Sequence, residues 1–262
     1  MYIYLIFLAI SFIASVIGAI CGIGGGVLIK PTLDAFGVLD VAAISFLSSC
    51  TVLAMSCCSV FSSLKKGGGS IDLAVSTPLG IGAALGGIAG KQVFQMLSDF
   101  FPDPNQVGAV QSVCLFLVAL SLLLYTLNKA RIVTKRIQGK TICVVIGFAL
   151  GFCSSFLGIG GGPIDLMVLF YFFSMETKTA AANSLYVILI SQTAALLQTI
   201  VTNNVPDVAL GLIVLMVCGG MLGGTFGRRL NKKMDTAAVD RLFVGVMSLI
   251  MIICIYNLFQ YM

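Results

Sequence analysis

The sequence predicts an all-α polytopic membrane protein made of two inverted repeats. Each repeat is expected to hold a Gly-broken re-entrant helix pair plus three transmembrane helices. Three observations predict this. Hydrophobic residues make up 59% of the 262 residues and charged residues 10%, against about 45–50% and about 25% in a soluble domain. Gly-Ile-Gly-Gly-Gly occurs twice, at Gly22–Gly26 and Gly158–Gly162, each time between apolar runs. The basic residues gather in three loops, 65–70, 128–140 and 227–241, whereas 98–105 and 202–207 carry no Lys or Arg.

At about 20 residues per crossing, a chain of this length holds roughly eight membrane segments. The apolar excess runs the whole length (mean hydropathy +1.09), which leaves no room for a separate soluble domain. The net charge of +5 sits in loops and reads as topological information. Nucleic-acid binding is excluded, because it needs a basic face on a soluble domain. The nine cysteines lie in apolar segments without zinc-ligand spacing, and the chain has no His. They read as small buried hydrophobes, and no metal or cofactor is expected.

In order, residues 2–20 form an apolar run that resembles a signal peptide but lacks a basic n-region, and it reads as retained. The first Gly cluster follows, then Val27 to Phe36. Four glycines in five residues cannot continue a helix, since each costs about 1 kcal/mol relative to Ala. In hydrocarbon such a break survives only where protein or a water-filled cavity covers the freed backbone. Val41–Leu64 and Ile71–Leu97 are helices, the latter rich in small residues that let backbones approach. An acidic turn, 98–105, precedes the helix Gln106–Asn128. A connector with five basic residues and no acid, 129–140, joins an N-terminal repeat (1–128) to a C-terminal repeat (141–262).

Thr141–Leu157 leads to the second cluster and to Ile164–Ser174. Thr179–Val201, Val208–Phe226 and Leu242–Phe259 are the last three helices. Gly24 matches Gly160 at an offset of 136 residues, and Gly86 matches Gly223 at 137. Two landmarks this far apart and this concordant establish a duplication.

If every apolar segment crossed, with each Gly-broken pair counted as one span, three spans would separate loops 128–140 and 227–241, placing them on opposite sides and breaking the positive-inside rule. If each Gly-broken pair enters and leaves on one side, all three basic loops become cytoplasmic. Loops 65–70 and 202–207 then face opposite ways, and the repeats are inverted, as in many transporters.

The paired breaks point to an anion site. A half-helix starting after Gly26 or Gly162 has first-turn N–H groups without intrahelical partners and a positive dipole end. Glycine lets a ligand approach that backbone, and Pro163 suits a first turn. The candidate substrate-binding residues are Gly22, Gly24, Gly25, Gly26 and Val27 in the first half. Their second-half counterparts are Gly158, Gly160, Gly161 and Gly162. Against this stands the reading in which the glycines only permit turns and close packing.

Lys30 either adds positive charge to an anion path or snorkels to the surface. Asp165 either couples protons, pairs with a cation, or is a first-turn acid favoured by the dipole. Ser45, Asn183, Ser184 and Gln192 either line the cavity or bond between helices. Glu176 with Lys178 reads as a turn, and Arg228 with Arg229 as topology anchors.

Gly22–Gly26, Gly158–Gly162, Ala182-Asn183-Ser184-Leu185 and the stretch Gly219–Arg228 together resemble the sulfite exporter TauE/SafE family, also called the toluene sulfonate uptake permease family. The family often shows Thr-Ser-Leu after the first hairpin, where this chain has Ile44-Ser45-Phe46. The resemblance implies a cytoplasmic-membrane carrier for small sulfur-containing anions such as sulfite or sulfonates, in either direction.

The expected function is therefore a multi-pass secondary transporter of small oxyanions embedded in the lipid bilayer. A proton or sodium is the coupling ion the absence of a nucleotide-binding cassette leaves open, and a homodimer is allowed. The alternative is an anion channel or a membrane assembly protein. Without His or a catalytic cluster, an enzyme is not expected.

Overall fold

The computed structural model describes residues 2–65, 71–98, 104–129, 132–137, 139–156 and 161–261. Gly158 and Gly160 lie outside the described residues, as do most of loops 65–70 and 98–105. The described residues form helices and no strand. They are α1 (Tyr2–Cys21), α2 (Gly26–Phe36), α3 (Val41–Lys65), α4 (Leu73–Ser98), α5 (Pro104–Asn128), α6 (Lys140–Phe156), α7 (Gly162–Phe173), α8 (Thr177–Val201), α9 (Leu210–Lys233) and α10 (Thr236–Tyr261).

Seven of them, α1, α3, α4, α5, α8, α9 and α10, are long and apolar enough to cross a membrane. Large apolar side chains such as Phe61, Leu127, Val145, Leu197 and Leu222 are exposed on the outside of the bundle, as a lipid-facing surface requires. α2 and α7, with 11 and 12 residues, reach only about 16–18 Å at 1.5 Å per residue.

Helix ends follow local chemistry. Asp72 caps α4: its Oδ1 accepts from Ala74 N at 3.0 Å and Val75 N at 3.3 Å, satisfying two of the free first-turn donors. α2 ends at Gly37 (φ 60°) and α7 at Ser174 (φ 52°), both left-handed. That conformation closes helices readily with glycine and at a cost with serine. Ser174 is held by its hydroxyl, which donates to Thr134 Oγ1 at 2.7 Å and to Lys135 O at 3.0 Å.

The two halves interlock rather than pack separately. α4 lies along α6 and α1 along α9 in the two most extensive interfaces. Exchanging each of α1–α5 with the helix five places further along the chain carries α4–α6 onto α1–α9, α3–α9 onto α4–α8, α2–α3 onto α7–α8, and α2–α10 onto α5–α7, all of them observed contacts.

The two main interfaces are built the same way. On α4, a Cβ added to Gly82, Gly86 or Gly90 would stand 2.1, 1.9 and 2.4 Å from the carbonyl oxygens of Val144, Phe148 and Phe152 of α6. On α9, Gly219, Gly223 and Gly227 meet α1 likewise, the last two at 2.5 and 2.3 Å from Phe12 O and Val16 O. These glycines recur every four residues, so they share one helix face and let backbone approach backbone. A cation marks the end of each stripe and crosses to a third helix. Lys91 Nζ donates to Thr199 Oγ1 at 2.7 Å, and Arg228 donates to Ser59 O.

The described flanks of the basic loops converge on one end of the bundle. Lys129 pairs with Asp240, and Thr177 Oγ1 donates to the same carboxylate at 3.0 Å. The connector lies against the end of α7 through Lys135 N to Tyr171 O at 2.8 Å and Ile137 N to Phe172 O at 2.9 Å.

Candidate functional site

The first glycine cluster turns the chain back on itself. Gly22 N bonds Gly18 O at 2.8 Å as α1 ends, and Gly22 and Gly24 adopt φ of 77° and 68°, a region open mainly to glycine. The returning chain presses on α1, for a Cβ on Gly18 would lie 2.6 Å from both Gly24 C and Gly25 N. α2 then begins beside Ala14 and Ser15 of α1. α1 and α2 are thus the arms of a hairpin with its apex inside the protein, and residues 20–31 are buried throughout.

The apex is gripped by the other half. A Cβ on Gly22 would stand 2.3 Å from Ala181 Cα, and one on Gly24 would be 3.4 Å from the Ile188 side chain, both on α8. The two breaks also meet each other. A Cβ on Gly162, the first residue of α7, would fall 1.5 Å from the carbonyl oxygen of Ile23. From this junction α2 and α7 lead to opposite ends of α5 and α10. Lys30 and Pro31 meet Gln111 of α5 and Asn257 of α10, whereas Phe170 stacks on Tyr125 at the far end of α5. Lys129, just beyond that end of α5, pairs with Asp240 at the start of α10.

The candidate residues fall into distinct places. Gly22, Gly24, Gly25, Gly26, Val27, Gly161 and Gly162 form the junction, all buried. Asp165 is 2% exposed, and its Oδ2 lies 2.9 Å from where a Cβ on Gly161 (φ 97°) would be. Its carboxylate therefore rests at the break that starts α7. Lys30, 6% exposed, donates through Nζ to Gln111 Oε1 at 3.1 Å, so it is turned toward α5. Asn183 Oδ1 accepts from Asp72 N at 2.8 Å and Ser76 Oγ at 2.6 Å, and its Nδ2 donates to Thr179 O at 2.7 Å. These bonds tie α8 to the start of α4.

Ser184 is fully buried, and its Oγ has no partner among the described residues. By helical spacing it shares a face with Ala181 and Ile188, which receive the first break. Gln192 is buried two turns further along α8, and Ser45 is half-buried in the first turn of α3.

Sequence reasoning missed two groups. Ser15 of α1 lies against Gly25, with its Oγ 3.3 Å from a Cβ there, and that hydroxyl too has no partner among the described residues. Its signal was a hydroxyl in helical register with Ser11 inside an otherwise apolar run. The second group, Lys178, Arg228, Asn231 and Lys232, lines one cavity with Ser59 and Thr179. Two basic pairs drawn to one helix end could have revealed it.

The family model for the sulfite exporter TauE/SafE matches residues 7–253. The chain is similar to the probable membrane transporter protein YunE of Bacillus subtilis, 22% identical over 95% of each chain. It is also similar to the probable membrane transporter protein MJ0441 of Methanocaldococcus jannaschii, 24% identical over 93% of each chain. No solved structure matches it significantly. A match across nearly the whole length, on an all-helical fold with seven helices long and apolar enough to cross a membrane, settles the family: the chain belongs to the sulfite exporter TauE/SafE family of membrane transporters.

Proposed function

We infer that this protein is a secondary transporter carrying small sulfur-containing oxyanions, sulfite or sulfonates, across the cytoplasmic membrane. The observation that carries the reading is the meeting of Gly162 with the Ile23 carbonyl. Two costly breaks, far apart in sequence, touch in the middle of the fold, and two short helices start there. The Ile23–Gly162 contact closes the junction in this conformation, so an anion reaches the helix starts when the breaks part. Bistable backbone junctions of this kind suit alternating access.

The departure of α2 and α7 toward opposite ends supports inverted repeats over 1–128 and 141–262, joined by 129–140. The convergence of basic flanks on one end supports a cytoplasmic placement of loops 65–70, 128–140 and 227–241. Gly158 and Gly160 complete the second break in this reading. Ser15 and Ser184 supply hydroxyl donors to the anion. Asp165 is the group that would exchange a coupling proton, since its carboxylate sits at the mouth of α7.

Two readouts on the same proteoliposomes test this. Sulfite uptake is expected to saturate and to be competed by methanesulfonate, whereas a linear, uncompeted rate favours the channel reading. Single cysteines at residues 100 and 232 are expected to react with an impermeant maleimide from opposite sides. Labelling from the same side sinks the inverted arrangement.

A further inference from the structure

At the end of the bundle that gathers the basic loops, a half-open cavity of about 280 Å³ lies between α1, α3, α8 and α9. Lys178, Arg228 and Lys232 line it, and no Asp or Glu is among the described lining residues. Lys178 Nζ donates to Met234 O and Arg228 to Ser59 O. Both partners are neutral carbonyls, so neither hydrogen bond cancels a charge. The first turn of α8 opens here through Lys178 and Thr179. The residue before the helix, Glu176, makes no side-chain cap, so the positive dipole end of α8, beside the cavity, is not offset by a capping side chain.

An independent observation points to a ligand. Ser59 lines the cavity and is only 2% exposed, and its Oγ has no hydrogen-bond partner among the described residues. A buried hydroxyl left without a partner costs about 1–3 kcal/mol. A bound acceptor relieves that cost. Ala181 also lines the cavity, and its Cα would stand 2.3 Å from a Cβ on Gly22. One residue of α8 thus touches both the cavity and the first break.

We propose that this cavity is a docking site where an anion with an SO₃-type headgroup is held before it passes to the glycine junction. The inference rests on the carrier reading and adds a second, separate binding place to it. Arg228 and Lys178 neutralise the headgroup, Thr179 and its neighbours donate backbone N–H groups, and Ser59 Oγ donates to one oxygen. Val60, Ala182 and Leu185 form an apolar wall that accepts a short organic tail, which favours sulfonates over the bare ion. A phospholipid phosphate presents the same oxygens, and the test separates the two sources.

The experiment is titration calorimetry of ethanesulfonate and sulfite into the full chain, held in nanodiscs of neutral phosphatidylcholine. Ser59→Ala removes no hydrogen bond within the described protein and relieves an unpartnered hydroxyl, so it should not lower thermal stability and should weaken ethanesulfonate binding several-fold. Lys178→Gln and Arg228→Gln should each weaken it at least about tenfold, the cost of one charge-assisted hydrogen bond. Arg228→Lys should recover part of the loss.

Unchanged ethanesulfonate affinity in folded Ser59→Ala and Lys178→Gln overturns the docking site. The carrier reading then stands or falls on whether the same protein transports sulfite. If wild type binds neither anion, or if in parallel nanodiscs containing phosphatidylglycerol the substitutions alter only retention of that lipid, the site as proposed is also overturned.

Discussion

Gly162→Ala is expected to lower sulfite uptake by about 100-fold per inserted molecule. The added methyl carbon would fall 1.5 Å from the Ile23 carbonyl oxygen, so α7 or the first break must move by more than an ångström. No flexible side chain is present to yield, because both surfaces are backbone. Displacement of that size at a reacting or binding geometry commonly costs about 100-fold. The strain itself is about 1–3 kcal/mol, as for other overpacked sites, which a protein inserted in a bilayer can survive. Gly211→Ala is the control: nothing lies within 4 Å of the Cβ it adds, and it should transport at the wild-type rate. Loss of uptake in both would mean that any glycine change on these helices is harmful and would remove the special status of the junction.

Gly86→Leu is expected to destabilise the fold rather than only impair transport. Its Cβ would stand 1.9 Å from Phe148 O of α6, in the centre of the most extensive helix–helix interface. Leucine adds a branched side chain to a surface with no space for it, and α4 must lift away from α6. Separation forfeits the close backbone contacts that hold membrane helices together where burial from water supplies little force. A loss of about 3 kcal/mol or more follows from overpacking, which corresponds to a fall of about 6–12 °C in the unfolding midpoint. Gly223→Leu, its counterpart on α9, should behave alike, and Gly245→Leu, with nothing within 4 Å of its Cβ, should not. An unchanged midpoint for Gly86→Leu would show that the stripe does not hold the bundle together.

These two substitutions separate the roles of the glycines. The stripes on α4 and α9 serve packing, as the assembly reading of the sequence expects. The clusters differ, because Gly22, Gly24 and Gly161 have positive φ, and Gly22 and Gly24 sit where chain direction reverses. The first break and the helix lengths were legible because glycine spacing and apolar run length act locally on the chain.

The pairing of helices was not legible. In lipid both faces of a helix are apolar, so the sequence pattern does not mark which face meets protein. For that reason Ser15 was hidden within an apolar run, and Lys178 and Arg228 read as turn and anchor although they line one cavity. Lys30, four residues beyond Gly26 by sequence, gave no sign that its ammonium turns to Gln111. Asn183 gave none that its amide is bonded to α4.

The central claim is that one anion site at the meeting of the two breaks opens alternately to the two sides of the membrane. Counterflow tests it most directly. Proteoliposomes loaded with unlabelled sulfite are placed in a trace of labelled sulfite, and the label inside is followed with time. A site exposed to one side at a time must exchange passengers, so the label is predicted to rise transiently above its equilibrium level. A smooth approach to equilibrium with no overshoot would mean an open path through the protein and would contradict the account.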